Sequence, residues 1–310
     1  MIRKHSANPS GCTGSAVDQI KHVVVLMFEN RSFDHIFGGL LDSDMQPLVD
    51  GVVGPKGKVN RNWQTTSIYN TADPTQEPGQ TNNPIYATPI TLNTQPRGGF
   101  NHDFCDGMMP DLFGPGTTGY VAGQQIGAPA QTYPAMNSGF VSVNGPCFPM
   151  TFFTDGSLKV LHQLAKSFVV CDKWFCDMPG HTMPNRDFMH CATTGTLGID
   201  DPDSGIDSAL TIFDQIDKYG QGYAQGWKIY ASPCTQTDAS FLNWKINKNG
   251  NSNVDIAQFA KDVNEGTLPF YSFLMCWTHD SLDTSMHPSA ILQPGENYLA
   301  AVYNTLVSNP

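Results

Sequence analysis

Residues 20–28 read Ile-Lys-His-Val-Val-Val-Leu-Met-Phe, and the polar string Glu29-Asn30-Arg31-Ser32 follows them directly. A continuous, largely β-branched apolar run of this length is typical of a strand buried inside a parallel sheet. The run stops at the polar string, where a helix can begin. We therefore expect a buried strand over residues 20–28, with polar side chains at its carboxyl end.

Further apolar and amphipathic segments follow in alternation. Strands are predicted at 167–171, 226–230 and 270–277, and helices at 157–166, 186–193, 211–219, 254–263 and 296–307. This alternation predicts an α/β fold, a three-layer α/β/α sandwich around a mainly parallel sheet. Ligands in such folds bind at the carboxyl ends of strands, so the polar residues that follow each apolar run are the candidates for a site.

The segment 41–149 has a different character, because Pro, Gly, Asn, Thr and Gln dominate it. An irregular segment this long is often a functional rim or lid rather than a separate domain. We interpret residues 19–310 as one domain with an irregular rim at 41–149, and residues 1–18 as a flexible lead-in.

Composition excludes some classes of function. The chain has 310 residues, 40% of them hydrophobic, which suffices for a sizeable core. Lys plus Arg number 17 and Asp plus Glu 28, so the formal net charge is −11. An acidic surface repels a phosphate backbone, so no nucleic-acid partner is expected, although a local site can still bind an anionic substrate. The oligomeric state stays open.

The cysteines and the first residues leave the compartment open. The eight cysteines include no CxxC pair, which argues against a zinc ribbon, and they are compatible with free thiols or with up to four disulfides. The basic start, Met1-Ile2-Arg3-Lys4-His5, is not followed by an apolar stretch, so no signal peptide is predicted. No apolar run is long enough to predict a transmembrane segment.

Three places after predicted strands carry residues capable of chemistry. Glu29 and Asn30 follow the first strand, Thr182 lies in the turn 179–185, and His287 follows the strand that ends near residue 277. By type alone, residues in such places more often serve as a helix cap (Glu29 and Asn30), a turn residue (Thr182) and a surface or packing histidine (His287). The phosphate-loop, HExxH, GxSxG and GxGxxG motifs are absent, which argues against the common NTPase, zincin, serine-hydrolase and dinucleotide-binding classes.

Longer blocks resemble a known family. The segment 20–38, with its string ENRSFDH, resembles the N-terminal signature of the phosphoesterase family of phospholipases C and acid phosphatases, which belongs to the alkaline phosphatase-like superfamily. The segment 169–196 resembles the nucleophile block of that family, and the segments from 259 to 310 resemble its next block. Weaker matches lie near His102 and Asn137. The resemblance covers nearly the whole chain, in order, and implies an alkaline phosphatase-like fold.

The resemblance implies a role for each matching residue. Glu29, Asn30 and Thr182 would bind a divalent metal ion, for which oxygen ligands are suited. Thr182 would also be the nucleophile, attacking phosphorus to give a phospho-threonine that water then hydrolyses. His102 and His287 would contact the phosphoryl oxygens or protonate the leaving group.

Asn185 and Arg186 belong to the same nucleophile block as Thr182. Two roles remain open for them: they bind the substrate, or they fix the geometry of the turn.

The sequence departs from the family pattern in three places. His181 stands where the family commonly has Pro, and Met286 precedes His287 where many members have an acidic residue or a second His. His279 is a weaker substitute for that second group. The family continues beyond the position of Pro310 into a strand and an Asp-Glu…Asp-His segment. We therefore expect the C-terminal part of the fold and some metal ligands to be missing, and a sheet edge near 20–28 or 270–277 to be unpaired.

The expected function is metal-assisted hydrolysis of a phosphate ester. Cleavage of phospholipid headgroups is slightly favoured over acid phosphatase activity, because Thr at the nucleophile position is associated with it within the family. The alternative is a non-catalytic relative or inactive fragment that keeps the fold as a binding protein. Family members are often exported, but the sequence does not assign a location.

Overall fold

The structure is a computed structural model. It describes residues 20–53, 69–70, 85–96, 99, 107–108, 111–112, 140–145, 148–177, 180, 182–193, 210–219, 226–231, 254–276 and 283–309. The predicted lead-in 1–18 and the predicted site residue His102 lie outside these ranges.

Short strands and helices alternate along the described chain. The strands are β1 (Val23–Leu26), β2 (Tyr69–Asn70), β3 (Ile85–Tyr86), β4 (Thr88–Ile90), β5 (Thr151–Phe153), β6 (Trp227–Ala231), β7 (Val254–Asp255) and β8 (Tyr271–Leu274). The helices are α1 (Phe33–Phe37), α2 (Phe140–Asn144), α3 (Lys159–Ser167), α4 (Thr182–Cys191), α5 (Ile212–Tyr219), α6 (Ile256–Asn264) and α7 (Gln293–Val307), and a short 3-10 helix spans Leu92–Thr94. No helix in the described ranges is long and apolar enough to cross a membrane.

The main sheet is parallel. Four strands are hydrogen-bonded in the order β1-β8-β6-β7, and all three pairings are parallel. Val23 of β1 and Trp227 of β6 both lie opposite Tyr271 of β8. This register brings the carboxyl ends of β1, β8 and β6 to the same edge of the sheet. The predicted α/β fold with a mainly parallel sheet is confirmed at this level.

Alternate side chains of the sheet pack against different helices. On one face, Trp227, Ile229 and Phe273 form a cluster with Phe213 of α5 and Met189 of α4. On the other face, a second cluster joins the sheet to α6 and α7; it contains Val24, Leu26, Tyr230, Phe259, Leu274 and Val302. Because successive side chains of a strand point to opposite faces of the sheet, alternate residues of each strand contact different helices.

The first strand is shorter and less buried than predicted. Its hydrogen-bonded part is Val23–Leu26, and all four residues are half-buried. Within the described residues, β1 is an edge of the main sheet, bonded only to β8. This explains why its side chains keep some exposure although the run is fully apolar.

The strand predicted at 167–171 is wrong. Helix α3 continues to Ser167, and Phe168 to Cys176 have no regular secondary structure. Val169 is 91% exposed, and Trp174 and Phe175 are also exposed. A β-branched run forms a strand only where a neighbouring strand can pair with it, and no described strand pairs with this run.

Helix α4 begins four residues earlier than predicted. It starts at Thr182, so Asn185, which was predicted in the turn, lies in the same helix as Arg186. Pro184 is the third helical residue, where the missing N–H removes no intrahelical hydrogen bond. The proline that suggested a turn therefore lies within the first turn of the helix.

A buried carboxylate connects helices α3 and α7. Glu296 of α7 is 1% exposed, and its two oxygens accept hydrogen bonds from Val160 N at 3.0 Å and Leu161 N at 2.7 Å. Both N–H groups lie in the first turn of α3, where no carbonyl of the helix can accept from them and where a negative charge is favoured. The contact fixes α3 against α7.

Candidate active site

One small cavity lies at the carboxyl edge of the main sheet. Its volume is about 220 Å³, and its lining comprises Met27, Phe28, Glu29, Asn30, Cys176, Gly180, Thr182, Asn185 and Arg186. Residues from the end of β1 thus meet residues from the start of α4. Five of the residues singled out from the sequence lie in this lining, although Glu29 and Arg186 are 157 positions apart in the chain.

Thr182 is the first residue of α4. Because the first N–H groups of a helix have no partner within the helix and its dipole is positive at this end, the start of α4 favours an anionic group. The residue four positions further on is Arg186, and side chains four apart share one face of a helix. The hydroxyl and the guanidinium therefore point toward the same region.

Arg186 forms a buried ion pair with Glu29. Its Nη2 donates to Glu29 Oε1, and the side chains are 3% and 8% exposed. A buried charge is costly unless it is paired, so each side chain stabilises the other in this position. The pairing was missed from the sequence, because Thr182 was assigned to a turn and Arg186 to the helix after it, so their four-residue spacing was not used.

The amide of Asn30 contacts the ring of His287. Asn30 Nδ2 lies 2.7 Å from His287 Nε2, and His287 Nδ1 contacts the carbonyl oxygen of Pro288. A carbonyl only accepts, so Nδ1 carries the hydrogen, and Nε2 of a neutral ring then accepts from the Asn30 amide. An amide whose nitrogen faces His287 presents its oxygen on the opposite side.

The loop that carries His287 is tied together locally. Asp283 Oδ1 accepts from the backbone N–H of Ser285 at 2.8 Å and from its hydroxyl. The Ser285 hydroxyl oxygen accepts from the backbone N–H of His287 at 3.1 Å. Ser285 itself is fully buried. These bonds set the backbone from which the His287 ring projects.

His190 lies behind the ion pair, one turn further along α4 than Arg186. It is 2% exposed, and its ring packs against Phe213 and Phe273 with centroid distances of 5.3 and 4.9 Å. Neither ring nitrogen has a hydrogen-bond partner among the described residues. Burial, and then the positive charge of Arg186, lower the pKa of His190 from 6.5 to about 3. The ring is therefore neutral at physiological pH.

Some of the predicted site residues lie at the cavity, and others lie outside the described residues. Glu29, Asn30, Thr182, Asn185 and Arg186 line one cavity, and His287 is connected to it through Asn30. His102, His181 and His279 lie outside the described residues. The roles assigned to all of these residues remain predictions.

The donor atoms at the cavity fit a hard cation in type and are few in number. Carboxylate, amide and hydroxyl oxygens are the ligands that Mg²⁺ and Ca²⁺ prefer. Within the described ranges, however, no group of three or more His, Cys, Asp or Glu side chains could hold a metal ion. Among the described residues of the lining, Glu29 is the one acidic residue, and its charge is opposed by Arg186. Water, substrate or further protein groups would have to complete a coordination shell.

Comparison with known proteins identifies the class. Residues 20–310 match the phosphoesterase family, so the chain belongs to that family.

Individual relatives can then be compared. The chain is 26% identical over 310 residues to non-specific phospholipase C4 of Arabidopsis thaliana, a match covering 96% of this chain and 52% of the relative. It is 28% identical to non-specific phospholipase C5 of the same plant, covering 96% and 54%. It is 25% identical to phospholipase C B of Mycobacterium tuberculosis (strain ATCC 25618 / H37Rv), covering 99% and 58%. The chain thus spans about half the length of the curated relatives it matches.

Proposed function

We propose that this protein hydrolyses phosphate esters, with the Thr182 hydroxyl as nucleophile and phospholipids as the favoured substrates. The observation that carries the proposal is the meeting of Glu29 and Asn30 with Thr182 in one cavity at the carboxyl edge of a parallel sheet. Membership of the phosphoesterase family supports the reaction, and the phospholipase C names of the relatives support the substrate class.

Each residue has a defined task in this proposal. The Thr182 oxygen attacks phosphorus, the bond from phosphorus to the leaving oxygen breaks, and a phospho-threonine forms. The Thr182 hydroxyl gives up its proton in this step, and a proton passes to the leaving oxygen. His102 and the protonated form of His287 are the candidate donors, because the neutral His287 ring that accepts from Asn30 carries no proton on Nε2. Water then attacks the phospho-threonine and releases the phosphate product and the Thr182 hydroxyl. The start of α4 favours the negative phosphoryl oxygens.

A divalent cation is part of the proposal. Glu29, Asn30 and Thr182 would hold it through oxygen atoms. When bound, such an ion lowers the pKa of a hydroxyl and offsets negative charge on a phosphoryl group. Arg186 holds one oxygen of Glu29, which orients the carboxylate at the cavity. Asn185 lines the cavity beside Thr182, where it can contact the substrate.

The proposed fold is a three-layer α/β/α sandwich of the alkaline phosphatase-like type. The two hydrophobic clusters support this architecture, because one contains residues of α4 and α5 and the other contains residues of α6 and α7. The site would then lie at the end of the middle layer.

A second candidate is a binding protein that holds phosphate esters without hydrolysing them. The observation that favours it is the Glu29–Arg186 pair, because a guanidinium beside the Glu29 carboxylate weakens the attraction for a cation. Such a protein would bind the phosphate group and show no turnover.

The test is a series of substitutions at Thr182 in a version that spans the full length of the relatives. Thr182→Ala should lower turnover of p-nitrophenyl phosphate or a phosphocholine ester by about 10³-fold or more, as deletion of a nucleophile does. Thr182→Ser should keep measurable turnover, because the attacking oxygen remains. Thr182→Val keeps the branched shape and is the matched control for packing.

Three results test the nucleophile and distinguish the enzyme from the binding protein. Mass spectrometry of the quenched reaction should find phosphate on the peptide that carries Thr182 in the wild type and not in the Val variant. A folded Val variant with near-normal hydrolysis would exclude Thr182 as the nucleophile. A wild-type protein that binds a phosphate ester and releases no product would favour the binding protein.

A further inference from the structure

Arg31 connects the two loops that meet beside the cavity. One loop, Glu29 to Ser32, follows β1, and the other, residues 283–290, carries His287. We propose that Arg31 is a positioning residue, whose guanidinium clamps the 283–290 loop to the end of β1 and thereby holds the His287 ring against Asn30. This inference rests on the proposed function for its consequence in catalysis, and on geometry alone for the clamp.

The guanidinium grips the loop on both sides of His287. Arg31 Nε donates to the carbonyl oxygen of Met286 at 2.8 Å, and Nη2 donates to that of Ala290 at 2.9 Å. These acceptors lie one residue before His287 and three residues after it. The planar fork of Arg holds two donors in fixed geometry, which an ammonium group cannot reproduce.

The Arg31 side chain is itself held in place. Its guanidinium carbon lies 5.4 Å from the centre of the Phe148 ring, an arrangement compatible with cation–π attraction. Nη1 lies 3.4 Å from His35 Nε2, and His35 Nδ1 donates to the carbonyl oxygen of Thr151. Burial, and then the nearby charge of Arg31, lower the pKa of His35 to about 4, so this ring is a neutral acceptor at neutral pH. The Phe148 ring and the neutral His35 ring therefore fix the orientation of the Arg31 guanidinium.

The backbone on both sides of the contact needs support. Asn30 has φ 49° and Met286 has φ 65°, which is the left-handed region that L-residues other than Asn, Asp and Gly seldom adopt. Met286, the less tolerant of the two, is the residue whose carbonyl accepts from Arg31 Nε. The clamp therefore acts at the strained position next to His287.

Two further hydrogen bonds also hold the 283–290 loop in place. Glu29 N donates to the Ser285 carbonyl oxygen at 3.0 Å, and Gln95 Nε2 donates to the Ala290 carbonyl oxygen at 2.8 Å. Arg31 shares the Ala290 acceptor with Gln95 and is not among the residues that line the cavity. Its effect on the reaction is therefore transmitted through the position of His287.

The test compares Arg31→Gln and Arg31→Lys with the exposed-site control Glu265→Gln, all in the full-length protein. Hydrogen–deuterium exchange should become faster in the peptide covering 283–292 of both Arg31 variants and stay unchanged in the peptide covering β8. The Lys variant keeps the charge but reaches at most one of the two carbonyls. Exchange at the wild-type rate in the Lys variant would therefore refute the claim that both hydrogen bonds of the guanidinium are needed. Unchanged exchange in the Gln variant, or faster exchange throughout the protein, would overturn the local clamp.

Kinetics test whether Arg31 acts through His287. Arg31→Gln should lower kcat for a phosphocholine ester by about 10–100-fold with KM nearly unchanged, since small misplacement of a reacting group has effects of this size. In a His287→Ala background the same substitution should cause no further loss. Equal losses in both backgrounds, or unchanged kcat, would overturn the positioning role. If the wild type shows no hydrolysis, the proposed function fails, and the exchange experiment still decides the clamp.

Discussion

Replacing His190 tests whether the neutral ring beneath the site makes the fold sensitive to acid. The folded protein holds this ring with a pKa of about 3, and the ordinary value is 6.5. Between these values the unfolded chain takes up a proton that the folded chain does not, so the free energy of unfolding falls as pH falls. Each pH unit in this window lowers it by about 1.4 kcal/mol, and the full window by on the order of 5 kcal/mol.

His190→Leu should remove this pH dependence. At pH 7.5 the change also removes two ring nitrogens without partners among the described residues, worth about 1–3 kcal/mol each, and the packing against Phe213 and Phe273, worth about 1 kcal/mol per pair. The polar contribution equals or exceeds the packing contribution, so the variant should be as stable as the wild type or more stable by up to about 4 kcal/mol. At pH 4.5, two pH units into the window, its advantage should grow by about 3 kcal/mol.

Urea unfolding followed by tryptophan fluorescence at pH 7.5, 6.5, 5.5 and 4.5 measures the difference between the two proteins. Other titrating groups contribute equally to both and cancel in the difference. His190→Gln is the matched control, since it keeps a polar side chain but takes up no proton. Its stability difference from the wild type should also grow toward low pH. A difference that stays constant over this range would refute the argument that the ring stays neutral in the folded protein and takes up a proton only on unfolding.

Three further outcomes are expected. Glu296→Gln should lower the free energy of unfolding by about 2 kcal/mol, because an amide offers one acceptor to the two N–H groups at the start of α3, and the exposed control Glu265→Gln should change urea unfolding little. Asp262, buried and bonded to Lys228 at 2.6 Å, has a lowered pKa: burial alone would raise it, and the hydrogen bonds from Lys228 and Tyr230 outweigh that. Asp262→Asn should therefore destabilise the protein by about 3 kcal/mol at pH 7, and urea titrations should find a smaller loss below the pKa of the folded carboxyl. Removing divalent cations with a chelator should abolish ester hydrolysis in the full-length protein and leave its circular dichroism unchanged, whereas full activity in chelator would refute the metal requirement.

Part of this molecule follows from local sequence patterns. The run Val23–Leu26 forms a strand because β-branched side chains suit a pleated, buried surface, and the amphipathic segment Ile212–Tyr219 forms a helix because its apolar residues recur at helical spacing. Glu29 and Asn30 follow the first strand at once, so parallel pairing is enough to place them at a binding edge. Resemblance to a family added Thr182 as their partner.

Tertiary structure decided the rest, because it depends on which surfaces meet. The apolar run at 167–171 has the composition of a strand, yet it pairs with no described strand, since pairing requires an available edge and not only propensity. Pro184 suggested a turn, but α4 tolerates it in its first turn, and the ion pair of Arg186 with Glu29 connects this helix to the end of β1. The hydrogen bonds of Arg31 reach Met286 and Ala290, which lie 255 and 259 positions further along the chain. No local sequence pattern encodes a contact of that kind. Spacing along the chain reports local structure, whereas the partner of a buried charge is set by packing across the whole fold.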